Sequence, residues 1–304
     1  MELDQLRSFV AVAEARSFTR AASLVHLSQP AISRQIARLE TELGAQLFER
    51  YGRRVECTAD GRLLLPLARN IIARADDASR MIREHVGTLS SKVSLGSTGT
   101  VFAYLLAPIL ASFIKTYPRV HLDLIEREDV LLEEAVMNGE LDCAIVTAWG
   151  SPRAATTRIL TEEILLVVPS DHRLASGLPV SLSSLADEPI LLPGHSMNMS
   201  NLLMDVCRRA GFEPRVPYRA NYVELTKALA RQGLGVALVP KMLIVPETLE
   251  GLVAISLLER PVRSLDLIHL REHPVSTAAR ALMIHIRASV AGQSVAGRFE
   301  AELQ

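Results

Sequence analysis

Residues 17–54 read SFTRAASLVHLSQPAISRQIARLETELGAQLFERYGRR, and the spacing within them decides how the first part of the chain folds. From Ser28 onward, Ile32, Ile36, Leu39 and Leu43 recur at steps of four, three and four. That spacing makes one stripe on a helix of about 3.6 residues per turn. Away from the stripe lie Pro30, Arg34, Ala37, Arg38 and Thr41, with Gln29 and Ser33 on its flank. These side chains are short, polar or cationic and are free to touch something else. Ser28 is placed to cap the helix, and Pro30 fits a first turn, where its missing N–H costs nothing. The helix is therefore expected to start near Gln29. Upstream, Ser17 is placed to cap a short helix through Phe18, Ala21, Ala22 and Leu24, whose paired alanines let a neighbour approach closely. The connection over residues 25–27 is turn-sized.

Two short helices so joined match a helix-turn-helix, whose second helix enters a DNA major groove with its N-terminal residues on base edges. Gln29 and Ser33 are then expected to read bases, and Arg34 and Arg38 to favour phosphate. Residues 49–58, ERYGRRVECT, read as a hairpin with Gly52 at its tip. Such a wing places Arg53 and Arg54 within reach of backbone or minor groove. A small helical domain that buries the stripe and solvates its arginines is the plainer reading. The agreement of stripe, caps, small residues and cationic wing within one segment favours DNA as partner.

These residues resemble the LysR-type transcriptional regulators. The resemblance is carried by LDQLRSFVAVAEARSFTRAA, then LSQPAISRQIARLETELGAQLF, then the ER.GRRV stretch with Thr58 and Gly61 after it. It extends over the whole chain in organisation, although its detailed motifs thin out after residue 90. It implies a winged helix-turn-helix, a long dimerising linker helix and a C-terminal effector-binding region of two α/β subdomains like a periplasmic binding protein. Carried over by position, Gln29, Pro30, Ser33, Arg34 and Arg53 match the family's DNA contacts. Cys57 departs from the aliphatic residue more usual in such wings.

With 304 residues, 49% of them hydrophobic, the chain is long enough for about two domains with substantial cores. Its net charge of −1 says nothing in favour of nucleic acid. The basic character is local: Arg16, Arg20, Arg34, Arg38, Arg50, Arg53 and Arg54 stand against Glu40, Glu42 and Glu49. The start MELD is acidic and leads into an amphipathic helix, so no secretory signal is read. No apolar run is read as long enough to cross a bilayer, and a cytoplasmic protein is expected. Cys57, Cys143 and Cys207 are scattered, without CxxC or metal-ligand spacing. They are expected to be reduced thiols, with neither metal nor cofactor. Some members of the family work through a cysteine pair in the second effector subdomain, where this chain has only Cys207.

From Ala59, residues Leu64, Ala68, Ile71, Ala75, Ala78, Ile82, His85 and Leu89 follow alternating steps of four and three, a seam suited to helix pairing. Packing against its own domain is the alternative. Pro66 is expected to kink this helix or mark a late start, and residues 87–91 read as a hinge. The expected domains are thus 1–58, 59–90 and 91–304, with subdomain I over 91–162 and 265–304 and subdomain II over 163–264.

Beyond residue 91, strands and helices alternate in the manner of parallel sheets. Strands are expected at 92–96, 120–125, 143–146, 164–169, 189–192, 236–239 and 265–270. Helices are expected through 105–114, 130–138, 200–210, 222–232 and 277–291. Asn221 and Glu224 fit a capping box. Two crossings, near Glu162 and near Ser264, make a hinged cleft. Ligands bind at the carboxyl ends of strands in open α/β sheets, and helix N-termini there offer N–H groups to anions. Ser97, Thr98, Thr100, Thr147, Ser196 and Asn198 are the expected effector contacts. The effector is expected to carry a carboxylate or another polar head, and Asn221 is read as a cap.

No catalyst is read. GSTG at residues 96–99 lacks GxGxxG and the lysine-serine ending of a phosphate loop, and GxSxG is absent. A solute-binding transport protein shares the C-terminal architecture but not the DNA reader. A helix-turn-helix protein with an inert or enzyme-derived C-terminal domain is the runner-up. The expected mechanism is an effector that favours one subdomain arrangement and alters the spacing of paired winged domains. A homodimer or homotetramer is expected on DNA, with RNA polymerase as a further partner.

Overall fold

The computed structural model describes residues 1–51, 54–85, 92–148, 154–175, 177–194, 198–271 and 275–301. Two compact units divide the chain. One is built on Met1–Leu89, the other on the chain from Ser90 onward apart from Asn138–Glu140 and Glu272–Ser276.

The first unit runs α1 (Leu3–Ala15), α2 (Phe18–Leu24), α3 (Gln29–Leu43), β1 (Phe48–Tyr51), β2 (Arg54–Cys57) and α4 (Ala59–His85). Ser17 Oγ accepts the Arg20 N–H at 3.4 Å and Ser28 Oγ that of Ala31 at 3.3 Å, so both expected caps form. Ile32, Ile36 and Leu39 of the stripe are buried, whereas Leu43 is 43% exposed. Gly44, in the left-handed region at φ 67°, ends the helix there and takes Leu43 out of the core. Phe48 of the wing stacks against Phe9 and Phe18, with centroids 5.3 and 5.9 Å apart, tying strand to helices.

A second tie is not legible in the sequence: Glu40 Oε1 accepts the N–H of Leu47 at 2.8 Å and of Phe48 at 3.4 Å, fixing the wing to α3. At the far side of the wing, Thr58 Oγ1 donates to Gln46 O at 2.7 Å and accepts the Gly61 N–H at 3.0 Å. A Cβ on Gly61 would lie 2.2 Å from the Leu47 carbonyl oxygen, so only glycine admits this approach.

α4 starts at Ala59 and contains Pro66, so the proline does not delay the helix. Over the described length the residues of the expected seam divide between the core and the surface. Ala68 is buried and Leu64 partly so, both against the unit's own core. Leu63, Leu67 and Ile71 are left 70%, 54% and 40% exposed. The hinge expected at residues 87–91 lies outside the described residues.

The second unit contains β3 (Lys92–Ser97), α5 (Gly99–Val101), α6 (Ala107–Thr116), β4 (His121–Glu126), α7 (Asp129–Met137), β5 (Cys143–Thr147) and β6 (Ala155–Pro169). It continues through β7 (Ile190–Leu191), α8 (Asn198–Arg209), α9 (Val223–Arg231), β8 (Val236–Pro240), β9 (Leu252–Ile255), β10 (Val262–His269) and α10 (Thr277–Ala301). A π-helical turn, Phe102–Leu106, joins α5 to α6. Pro108 explains it: without an N–H it cannot bond the carbonyl four residues back, and the Ala107 N–H instead reaches Phe102 O. The whole helical stretch Gly99–Thr116 has 18 residues of mean hydropathy 1.5, long and apolar enough to cross a membrane by length and composition, where the sequence was read as having no such run. Its apolarity has a use inside the protein, since Val101, Leu106, Ile109 and Phe113 are buried.

The strand order is β4-β3-β5-β10-β6-β8-β7, with β9 also on β6. β3 pairs in parallel with β4 and β5, but β10 is antiparallel to β5 and β6. The sheet is therefore mixed rather than parallel. β6 is longer than its apolar end suggested. Residues 155–163 pair with β10, and residues 164–169 with β8 and β9. One strand thus runs through two lobes. In the second lobe the period of two is plain: Ile164, Leu166 and Val168 face a core closed by Leu203 and Cys207 of α8, while Val167 faces Ala230 of α9. In the first, Leu132 and Val136 of α7 cover Ala144, Val146 and Ile268.

At the crossing, Arg263 on β10 stands opposite Glu162 on β6. Arg263 Nε donates to Glu162 Oε1 at 2.7 Å, and Glu162 Oε2 accepts the Met242 N–H at 2.6 Å. The two side chains are only 4% and 8% exposed. Removing one member of such a buried pair strands the other, so Glu162→Ala is expected to lower the unfolding free energy by ~3–5 kcal/mol in denaturant titration. A loss of less than about 1 kcal/mol would mean that solvent reaches Arg263.

Candidate functional site

On the first unit, the exposed face of α3 carries Gln29, Pro30, Arg34 and Arg38, with Ser33 half-buried beside them. Arg34 Nε donates to Pro30 O at 3.3 Å, holding its guanidinium along the first turn. Leu27 N–H bonds Ala22 O at 2.9 Å, and His26 takes a left-handed φ of 54°, so the short link over residues 25–28 turns the chain from α2 into α3. The wing pairs Tyr51 with Arg54. Arg53 and Gly52 lie outside the described residues, as does the Arg54 side chain.

On the second unit, Thr98, Thr100 and Thr147 line a cavity of about 50 Å³. Its other walls include Leu191, Met199, Leu238 and Leu243. Thr98, Thr100, Asn221 and Val223 also border an open cleft of about 850 Å³, so the enclosed space and the cleft share a wall. Thr98 heads α5 but makes no side-chain cap bond, and its Oγ1 is 3.3 Å from that of Thr100.

The remaining expected contacts separate. Ser97 is fully buried and its Oγ donates to Ile145 O at 3.0 Å, a strand-to-strand tie away from the cavity wall. Asn198 is buried too. Its Nδ2 donates to Thr147 O at 2.8 Å and to Glu133 Oε1 at 3.3 Å, joining the two lobes. Ser196 lies outside the described residues. Asn221 is not the expected cap: Tyr222 occupies the N-cap position of α9. Asn221 Oδ1 instead accepts the Gly194 N–H at 2.8 Å, and its Nδ2 donates to Glu128 Oε1 at 3.0 Å. Glu224, the other half of that box, accepts from the Tyr104 hydroxyl at 2.8 Å. Contacts across the lobes outcompete the local motif.

Sequence reasoning misses Asp129 altogether, because an acidic residue opening a helix reads as an ordinary first-turn charge. It is 1% exposed. Its Oδ1 accepts the Thr147 N–H at 2.9 Å, and its Oδ2 accepts the Asn198 N–H at 3.1 Å, so it bridges the lobes at the start of α8. Burial pushes its carboxyl up to about 6; the two N–H bonds and the attraction of Arg263 offset only part of that, and nearby Glu133 adds to the rise. The N-terminus of α8, expected to offer an N–H to an anion, already holds this one.

A reader of duplex DNA on one unit and a two-lobed cleft on the other define the class: a DNA-binding transcriptional regulator with an effector-binding region. Residues 3–62 match the bacterial regulatory helix-turn-helix of the lysR family, and residues 87–291 match the LysR substrate binding domain. The chain belongs to the LysR family of transcriptional regulators. It is 30% identical to the DNA-binding transcriptional dual regulator OxyR of Escherichia coli K12, over 96% of this chain and 97% of that one. It is 29% identical to the HTH-type regulator YcgK of Bacillus subtilis 168, over 93% of each. A full-length variant of OxyR from Pseudomonas aeruginosa, 24% identical, shares the fold with a TM-score of 0.72 over 94% of this chain and 98% of that one.

The thiols give no ready nucleophile. Cys143 and Cys207 are buried, burial pushing Cys207 up to about 11 and Cys143 further still. Cys57 is half-buried and raised for the same reason. Low-pKa, accessible thiolates are what redox chemistry uses.

Asp129 sets a pH dependence whose sign follows from its raised folded-state value. Its stabilising contribution is complete below about pH 4, the unfolded value, and is lost as pH rises through about 6. Relative to Asp129→Asn, the wild type is expected to gain ~2 kcal/mol of unfolding free energy between pH 7 and pH 4. A constant difference across that range, measured by urea titration, would place Asp129 in ordinary solvent.

Proposed function

We propose that this regulator reads its operator through Gln29 and Ser33, anchors on phosphate through Arg34, Arg38, Arg53 and Arg54, with Pro30 starting the reading helix, and is switched by a small molecule in the cavity beside Thr98, Thr100 and Thr147. The lobes correspond to residues 91–162 with 265–304 and residues 163–264. The carrying observation is that residues lining the cavity also make the bonds between the lobes: Asp129 to the Asn198 N–H, and Asn221 to Glu128. A ligand there competes with those bonds, and so acts with different affinity on different lobe arrangements, which is what shifting a conformational equilibrium requires. Asn198 and Ser97 hold the framework around that ligand rather than the ligand itself.

The protein works as a homodimer or homotetramer. The Leu63, Leu67 and Ile71 ridge, spaced at four residues on α4 and solvent-facing, supports a helix pair between subunits. It acts in the cytoplasm, alters access of RNA polymerase at its operator, and carries out no catalysis.

Two parallel series test this. Gln29→Ala and Ser33→Ala are expected to cost ~1–3 kcal/mol on the operator and little on random DNA. Arg34→Ala is expected to weaken both and to reduce the salt slope by about one. Thr98→Ala is expected to leave operator affinity intact and blunt the response to effector. Equal losses on operator and random DNA for all three helix variants would refute the division of roles, and full induction of Thr98→Ala would remove the cavity from the switch.

A further inference from the structure

The charge of the effector follows from what the cavity already contains, on the reading that this cavity is the switch. Asp129 is a buried carboxylate whose two oxygens hold two backbone N–H groups. Among the described residues no cationic side chain lies within 4.0 Å of it. Buried charges are ordinarily paired, because desolvation without a counter-charge is expensive. The nearest candidates are engaged elsewhere. Arg263 is committed to Glu162 at 2.7 Å, and Lys227 donates to Leu243 O at 2.6 Å and Thr248 Oγ1 at 2.7 Å.

An independent observation stands beside it. Thr147 is 4% exposed and lines the cavity, and its hydroxyl has no hydrogen-bond partner among the described residues. That oxygen is not sealed within the protein and stays available to a ligand in the cavity. The open cleft adjoining the cavity carries Glu126, Glu128 and Glu224 together with Tyr104 and Tyr222, against the single cation Arg127. Carboxylates with tyrosine faces attract ammonium groups. The inner wall is mostly apolar, with Arg263, held by Glu162, as the one cation among its lining residues, and about 50 Å³ has room for a few carbon atoms.

We infer that the effector is a small organic cation, with an ammonium group at Asp129, Thr98 and Thr147 and a short apolar body against Leu191, Met199, Leu238 and Leu243. A carboxylate, the head group expected from the sequence, finds the Thr147 and Asn198 N–H groups already held by Asp129 and meets that like charge. The ammonium supplies what the described residues lack, a cation in direct contact with Asp129, beyond the longer-range pull of Arg263, and a donor for the Thr147 hydroxyl oxygen.

The test uses full-length protein and three isosteres, propylammonium, 1-propanol and propionate, compared by thermal unfolding at neutral pH and fixed ionic strength. Propylammonium near tenfold its Kd is expected to raise Tm by ~3 °C or more, and the alcohol and acid by less than about 1 °C. Thr147→Val and Asp129→Asn, each compared with its own melt, are expected to weaken the amine at least about tenfold, and either variant alone suffices should the other fold poorly. No shift with propylammonium, or a shift with propionate as large, overturns the inference. A propionate shift removed by Thr98→Ala refutes the ligand's charge and leaves the cavity as the switch. A propylammonium shift unchanged in all three variants places the ligand elsewhere and refutes both.

Discussion

The second unit turns on a carboxylate that has been taken out of water with no cation in contact among the described residues. Asp129 opens α7 in one lobe and accepts the first N–H of α8 in the other. The partial positive charge at a helix N-terminus, worth ~0.3–2 kcal/mol, offsets part of its desolvation. So does the Thr147 N–H from the end of β5. What remains uncompensated shows in the raised affinity of this carboxyl for a proton. Three elements from two lobes converge on one side chain, and the cavity walls are set by that convergence.

Around this point the lobes are joined by side chains with strong alternatives. Asn221 had a local cap available and Glu224 completed it in sequence, yet both reach across the cleft, to Glu128 and Tyr104. Gly194 makes the Asn221 approach feasible, since a Cβ there would lie 2.3 Å from its Oδ1. Glu162 and Arg263 play the complementary part at the crossing strands, buried and mutually satisfied. One junction is closed by a complete ion pair and the other by an incomplete one. On the proposed switch, that asymmetry leaves the Asp129 side, rather than the crossing, as the junction a ligand would alter.

Much of the fold is legible because it rests on local spacing. The 3.6-residue stripe and the caps of α2 and α3 need only neighbours in sequence, and the structure has them. The same holds for most strands whose residues are continuously apolar. What is hidden depends on distant partners. Residues 155–163 of β6 are polar on the surface of their sequence and become a strand only through pairing with β10. The α4 seam reads as a zipper, but the first unit's core takes Leu64 and Ala68, leaving Leu63, Leu67 and, from the seam itself, Ile71 exposed. The candidate cavity is half legible. Threonines after strand ends announce a cleft, but no periodicity tells the buried Asp129 from an exposed helix-opening aspartate.

The energetic scale of the proposed switch follows from the bonds at stake. A ligand that alters one or two charge-assisted hydrogen bonds of the Asp129 junction changes the balance of lobe arrangements by ~1.5–3 kcal/mol each. A coupling of that size corresponds to a change of roughly tenfold to a hundredfold in affinity at a linked site. The DNA reader is suited to such a signal. Its basic residues are few and local on a chain of net charge −1, so sequence-independent attraction to the duplex is limited and does not swamp the coupling. A reader with a much larger phosphate footprint would stay bound whatever the lobes did. The modest charge of the first unit and the incomplete ion pairing of the second are thus matched, each keeping the other's contribution decisive.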